Sequence, residues 1–344
     1  VSLAEAADGL DEQANIADLQ RSIDRLSRAL LKERARNDRV TEAAYNGAYD
    51  SVAALPRRPI PKPAVDRRRK ATEAALWVLT DWQGSKVTPS YNSSVMHERV
   101  RLFCEKARRL TEIQRADHPV REGIVIFDGD MVEGLFNYPT QPYEIDKTLF
   151  DQWTMVADLV VEVVECALAT YDQVHVISEW GNHGRIGSKR DAVPRSDNVD
   201  RMVYELARKM VMRDNAKRLI WPDCGEDYQR LEWEGYRALV MHGDEIGRNG
   251  YAAPGTIVAH ITRLQSGAYP WPFRDAYTGH YHTHAEWPLP NGEGAVYQTG
   301  STESENRYAG VMLAAQARPS QRLHFIHPDG YVSAQYKVHL DGAA

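Results

Sequence analysis

GIVIFDGD, residues 123–130, is a short apolar run that stops abruptly on Asp128, Gly129 and Asp130. An apolar run of this length, bounded by turn residues and rich in β-branched side chains, reads as a buried strand that ends in a loop. The same signature recurs in ALWVLTD (75–81), VHVISEWGNHG (174–184), RALVMHGD (237–244) and DAYTGHYHTH (275–284). Each run leaves Asp, Asn or His where the chain exits the sheet, which is where open α/β sheets place their ligands. Between the runs, amphipathic spacing predicts helices over Ser94–Gln114, 147–170 and Asp197–Asp214. Strands alternating with helices define an α/β chain.

The bulk composition sets outer limits. With 344 residues, 43% hydrophobic and 26% charged, the chain suits a globular protein of one large α/β domain plus an appendage. Cys104, Cys166 and Cys224 form no CxxC pair, so neither a disulfide framework nor a metal knuckle is expected, and a reducing compartment is favoured. No apolar run approaches the roughly 18–20 residues that span a bilayer. The opening VSLAEAADGLDEQ lacks the basic start and apolar core of a signal peptide. A cytoplasmic protein without membrane partners is the expectation. A net charge of −6 argues against a uniformly basic nucleic-acid binder but leaves room for local basic patches.

Three segments follow from composition: a helical arm over 1–55, a basic Pro/Arg linker over 56–70, and a catalytic domain over 71–344. In the arm, Ile16, Leu19, Ile23, Leu26 and Leu30 fall at 3-4-3-4 spacing, the a/d seam of a short coiled coil. Self-association into a homo-oligomer and docking on the body or a partner are both open readings of that stripe. The linker RRPIPKPAVDRRRK (57–70) carries seven Lys/Arg against one Asp. Its prolines favour an extended spacer. Arg57, Arg58, Lys62, Arg67, Arg68, Arg69 and Lys70 either form a solvated tether or track the phosphates of a nucleic acid, and salt dependence of binding separates the two.

The chemistry-bearing residues come in order: Asp81 in TDWQ, Asp130 in FDGDMVEG, Asn182 and His183 in GNHGR, His242 in MHGD, then His280 and His282 in GHYH. A lone Asp at a strand end is more often a turn or helix cap than a ligand. Five such pieces, each beside Gly or a polar turn and each after an apolar strand, are hard to explain as caps. A two-metal hydrolytic site needs hard and borderline donors around cations roughly 3.5–4 Å apart, with a bridging carboxylate.

The order D-x-[H/Q], GD-x-x-E, GNH, HGD, GH-x-H resembles the calcineurin-like metallophosphoesterases, nearest to the Mre11/SbcD-type nucleases and phage-encoded relatives. It covers Asp81 to His282. The resemblance implies a four-layer αββα sandwich. It also implies a first metal held by Asp81, Gln83, Asp130 and His282, and a second by Asp130, Asn182, His242 and His280. Asp130 then bridges. The implied cofactors are two divalent ions, Mn²⁺ first, with Mg²⁺, Fe²⁺ or Zn²⁺ as alternatives. A metal-activated water would attack phosphorus in line, and His183 would protonate the leaving alkoxide.

Two positions depart from the family pattern. Gln83 stands where His is usual, and its amide oxygen is a harder, weaker donor than imidazole nitrogen. Gly184 and Arg185 follow GNH where an acid is common, which leaves the orientation of His183 unexplained. Arg185 is either a phosphate clamp in the catalytic set or a solvated loop arginine. Asp128 and Glu133 are read as supporting or surface carboxylates, His284 as supporting or exposed, and His175, His324 and His327 as structural.

Insertions at 136–146, 186–201, 247–255 and 268–273 mix aromatic with basic residues, as a single-strand track does, or are ordinary long loops. DNA is therefore the leading expected partner, and a DNA nuclease the leading function. A hydrolase for a small phosphoester such as a cyclic nucleotide, and a non-catalytic binding module on the same fold, stand as alternatives.

Overall fold

A computed structural model describes residues 18–29, isolated positions between 32 and 50, 60–68, 71–135, 137–138, 140–187, 194–225, 228–247, 252–306 and 317–341. The chain divides into two units, Val1–Pro56 and Arg57–Ala344. In the first, 18–29 is helical (α1), with Leu19, Ile23 and Leu26 more than half exposed. Ile16 and Leu30, the ends of the predicted seam, lie outside the described residues, as do Arg57, Arg58, Arg69 and Lys70 of the linker.

The second unit is built on two sheets. Strand β1 (Glu73–Leu79) is buried along its whole length. It pairs in parallel with β2 (Val120–Asp128) and antiparallel with β10 (Ser320–His327). The sheet continues in parallel through β3 (Gln173–Glu179) to β4 (Leu219–Ile220), and beyond β10 to the antiparallel edge β11 (Tyr331–His339). The second sheet runs β5 (Gln229–Trp233), β6 (Tyr236–Val240), β7 (Asp275–Thr278), β9 (Ala295–Gln298), β8 (Ala285–Pro288). Its β6, β7 and β9 are parallel.

Side-chain alternation along these strands produces the layers. Ala74, Leu76 and Val78 of β1 and Ile124 and Ile126 of β2 face the second sheet, packing with Leu231, Tyr236, Ala238, Val240, Tyr277 and Tyr297. The alternate residues face helices. Trp77 stacks edge-on against Phe103 of α2 (Ser93–Gln114), and its indole N–H donates to the Tyr171 hydroxyl at 3.0 Å. Helix α3 (Leu149–Thr170) covers β2 and β3, and α4 (Val199–Asn215) packs on α3. On the outer face of the second sheet, Leu239, Met241, Ala276 and Val296 pack under Ile257 and Ile261 of α5 (Pro254–Arg263). Helices, sheet, sheet and helix give the expected four-layer αββα sandwich.

The predicted helices appear with small boundary shifts set by their caps. Asn92 accepts from Val95 N–H at 3.0 Å, Thr148 from Asp151 N–H, and Asn198 from Asp200 N–H at 2.8 Å. Residue 147 and Asp197, expected inside helices, therefore lie just before them. Among the described residues, no helix is long and apolar enough to cross a membrane.

The described part of the linker has a definite position. The Arg68 guanidinium bonds both carboxylate oxygens of Asp66 and donates to the His118 carbonyl, while Arg121 donates to the Arg68 carbonyl at 2.6 Å. His118 stands two residues before β2, so this contact lies at the starts of β1 and β2, a strand length from Asp81.

Candidate metal centre

Every predicted ligand lies just past the C-terminal end of a parallel strand. Asp81 and Gln83 follow β1, Asp130 follows β2, Asn182 and His183 follow β3, His242 follows β6, and His280 and His282 follow β7. The backbone there is unusual. Among the described residues, eight non-glycine residues have positive φ, and five are Asp81, Gln83, Asp130, His280 and His282. Left-handed backbone is uncommon outside glycine and, although Asp and His tolerate it best, carries strain that gathers at functional sites. The sharp turns aim side chains from several strands at one point.

Donor atoms converge there. One ligand atom each from Asp130, His242 and His280 lies within 4.8 Å of the others. His242 Nε2 is 3.0 Å from Asp130 Oδ2. The other ring nitrogen, Nδ1, lies 2.7 Å from the Asp128 carbonyl and donates to it, which fixes the ring with Nε2 facing the Asp130 carboxylate. On the neighbouring side, His282 Nε2 is 3.2 Å from Asp81 Oδ1, and Nδ1 is 3.1 Å from Glu303 Oε2. This is the carboxylate–histidine pairing that orients a metal-ligating imidazole. Asn182 donates through Nδ2 to the Tyr138 hydroxyl at 3.1 Å, which turns its Oδ1 the other way.

The fit to a cation is tested by what these atoms lack. Gln83 Oε1 and Asn182 Oδ1 are buried with no hydrogen-bond partner among the described residues, while His242 Nε2 faces Asp130 and Asp81 Oδ1 faces His282. Buried polar atoms are nearly always satisfied, and each failure costs about 1–3 kcal/mol. The Asn182 oxygen, together with the facing Asp130–His242 and Asp81–His282 pairs, offers donors that cations could share. Gln83 answers part of the question raised by its sequence. Its Nε2 lies 3.4 Å from Asp130 Oδ2 and 3.2 Å from His282 Nε2, so in this structure the amide turns nitrogen toward the ligand set, and ligation through Oε1 requires the opposite amide orientation.

Electrostatics agree. Burial lowers the pKa of His183, but the Asp130 and Glu133 carboxylates outweigh it and raise it to about 9. Burial likewise opposes, and Asp81 overcomes, the rise of His282 to about 10. The acids are dense enough to draw protons onto neighbouring imidazoles, and a dication answers the same field. His280 differs: burial and the adjacent His242 hold it down to about 4, a neutral imidazole ready to ligate.

Supporting residues surround these ligands, and two of them, Glu303 and Asp200, were not picked out in the sequence. Glu133, expected to be supporting or superficial, is buried, and its Oε2 lies 3.2 Å from His183 Nδ1. It supplies the acid missing after GNH. Lys86 holds Glu133 in turn at 3.1 Å. Glu303 follows β9 in QTGSTE, the same strand-then-glycine signature as the recognised pieces, and was overlooked for want of a motif partner. Asp200, in the first turn of α4, is fully buried and accepts from the N–H groups of Asp130, Met131, Val132 and Gly181. Burial and nearby Asp130 push its pKa up to about 6, against the pull of those donors.

Other residues take structural places. Arg185 is neither clamp nor solvated loop residue in this structure; its guanidinium pairs with Asp244 at 2.8 Å. Arg195 pairs with Glu179 at 3.0 Å. Lys189 and Arg190 lie outside the described residues. Asp128 is completely buried at the end of β2, where burial drives its pKa well up. His175 pairs with Glu122 at 3.2 Å, and His324 bonds the Tyr277 hydroxyl at 3.0 Å inside the intersheet core. His284 is part-buried, and burial lowers its pKa to about 3.

No protein-family profile and no curated protein matches the chain. Solved structures resemble it distantly. Zinc-complexed Vps29 from Entamoeba histolytica is 11% identical, with a TM-score of 0.33 over 78% of this chain and 99% of that one. Hypothetical protein PH1004 from Pyrococcus horikoshii is 11% identical, with a TM-score of 0.37 over 78% of this chain and 89% of that one. A 5'-nucleotidase described from Staphylococcus aureus is 11% identical, with a TM-score of 0.38 over 79% of this chain and 55% of that one. Similarity this slight is no ground for assigning an activity, and the chemistry must be read from the site itself.

Proposed function

We propose that the chain is a metal-dependent phosphodiester hydrolase of the calcineurin-like type, with DNA as its leading substrate. The observation that carries this reading is the convergence of Asp130, His242 and His280, one ligand atom of each within 4.8 Å of the others, with the Asp81–His282 pair alongside. Asp81, Gln83, Asp130 and His282 would hold one cation, and Asp130, Asn182, His242 and His280 the other. The carboxylate oxygens of Asp81 and Asp130 in the first set suit a hard ion, which favours Mn²⁺ or Mg²⁺ there over Zn²⁺. When bound, such cations make water a competent nucleophile near neutral pH and offset the charge of the phosphoryl oxygens.

The chain's own residues supply the rest. Glu133 fixes His183 through Nδ1, leaving Nε2, 3.9 Å from Asp130 Oδ2, turned toward the centre. A proton held at Nε2 is placed for the leaving alkoxide. Tyr138 packs 5.1 Å from the His183 ring and is 43% exposed.

A second reading, hydrolysis of a small phosphodiester, draws support from the linker. Arg68 is tied to Asp66 and to the starts of β1 and β2, so that part of the basic stretch does not border the metal centre. A Mn²⁺-supplemented panel of single-stranded DNA, duplex DNA, RNA, cyclic nucleotides and an activated aryl phosphodiester tests both. Cleavage of DNA, lost in Asp130→Ala and His183→Ala, supports the first reading; turnover confined to small diesters supports the second. No turnover of any substrate would leave a binding module.

A further inference from the structure

Two of the metal-bearing loops touch where neither has a side chain. A Cβ on Gly181 would fall 2.0 Å from Asp130 Oδ1 and 2.1 Å from Asp130 N; one on Gly129 would fall 2.5 Å from Gly181 N. Loops this close expose several backbone N–H groups to each other and to nothing else. One of them, the His183 N–H, is taken at 2.7 Å by Asp130 Oδ1 itself; the acceptor for the others comes from neither loop. It is Asp200, whose Oδ2 takes the N–H of Asp130 at 2.9 Å and of Gly181 at 3.0 Å, while Oδ1 takes Met131 at 3.1 Å and Val132 at 3.3 Å. Asn198 completes the fastening by donating to the Gly181 carbonyl at 2.8 Å and accepting from Asp200 N–H at 2.8 Å. Val199 N–H reaches the Gly184 carbonyl at 2.7 Å.

We propose that Asp200 is a positioning residue that sets the register between the Asp130 loop and the Asn182–His183 loop, and thereby the affinity of the centre for its cations. The inference rests on the metal-centre reading above. Asp130 and Asn182 stand on different strands, and only a rigid connection keeps their donor oxygens at one separation. The carboxylate provides it by holding both loops from a single helix end. Its charge suits four donors; an amide cannot, because one of its two arms carries hydrogens that would meet N–H groups. Groups of this kind, which hold a ligand without touching the metal, commonly change affinity 10–100-fold when altered.

Mn²⁺ binding to the full chain by titration calorimetry, with bound metal counted by elemental analysis, tests this. Asp200→Asn is expected to bind Mn²⁺ roughly 10–100-fold more weakly than wild type. Its metal-free melting and circular dichroism should show a folded protein. Asp275→Asn, an equally buried carboxylate away from both loops, should bind like wild type. Wild-type affinity in a folded Asp200→Asn overturns the proposal while leaving the metal centre intact. Failure of wild type itself to bind, or binding unchanged in Asp130→Ala, overturns the centre instead. Amide hydrogen exchange on metal-free wild type covers the case in which the variant does not fold. The N–H groups of residues 130, 131, 132 and 181 should exchange slowly and together, and exchange at unprotected rates rejects the latch.

Discussion

His183 Nδ1 lies 3.2 Å from Glu133 Oε2, although the two residues stand on loops leaving different strands. The carboxylate orients the ring and stabilises its protonated form. The two residues should therefore behave as one unit in a proton-transfer step. Glu133→Gln is expected to lower turnover of a phosphodiester about 10–100-fold, less than the roughly 10²–10⁴-fold loss for His183→Ala. Metal content should be unchanged in Glu133→Gln, and the double variant should be little worse than His183→Ala alone. Independent, multiplicative losses would show that the pair is not coupled.

In the proposed centre, Asp130 is shared between both donor sets. Asp130→Ala should abolish stoichiometric Mn²⁺ binding and all metal-dependent turnover, whereas Gln83→Ala should weaken only one of two binding events. Elemental analysis and calorimetry on the two variants check this. A Gln83→Ala protein that loses both ions would mean that Gln83 is not confined to one set.

Gly181 and Gly255 make a contrasting pair. Alanine at 181 would drive its methyl into Asp130, a backbone-level clash that cannot be relieved by a rotamer change. At 255, within α5, an added methyl meets nothing within 4 Å. Gly181→Ala should lower the melting temperature and abolish metal binding. Gly255→Ala should be neutral or stabilising by up to about 1 kcal/mol, since Ala is the better helix former. Thermal melts with and without Mn²⁺ distinguish these outcomes.

Burial raises the pKa of Asp275 from the ordinary 3.8 to about 6, against the pull of the Ala295 N–H and the Tyr236 hydroxyl. A carboxyl whose folded pKa is raised favours the folded state when protonated. Its contribution is therefore present below about pH 4 and is lost as pH rises to about 6, a total on the order of 3 kcal/mol. Asp275→Asn keeps an acceptor for Ala295 and never ionises. The stability of the variant relative to wild type should rise between pH 4 and 6 and stay flat above. Metal-free denaturant melts across that range check the sign; a difference that shrinks with pH rejects it.

Much of the fold was legible because burial leaves a strong one-dimensional trace. ALWVLTD and GIVIFDGD read as strands since both faces of β1 and β2 are covered, so nearly every position is apolar. Strands β5 and β8 were harder. Their burial alternates with exposure over four or five residues, and no ligand motif marks their ends. The histidines at 280 and 282 were named as candidate ligands because GHYH resembles a family motif. Glu303 and Asp200 were not, because each works through one other group and carries no motif of its own.

The amino-acid sequence by itself determined which residues carry donor atoms and that they sit at strand ends, because strand periodicity and ligand chemistry are both local. Which of them share a space was decided only by tertiary structure. Whether Gln83 presents oxygen or nitrogen, which acid orients His183, and what fastens the Asp130 loop to the Asn182 loop all depend on hydrogen bonds between residues 20 to 200 positions apart. Such bonds are directional and short-ranged, so they exist only once packing has brought both partners to within about 3 Å.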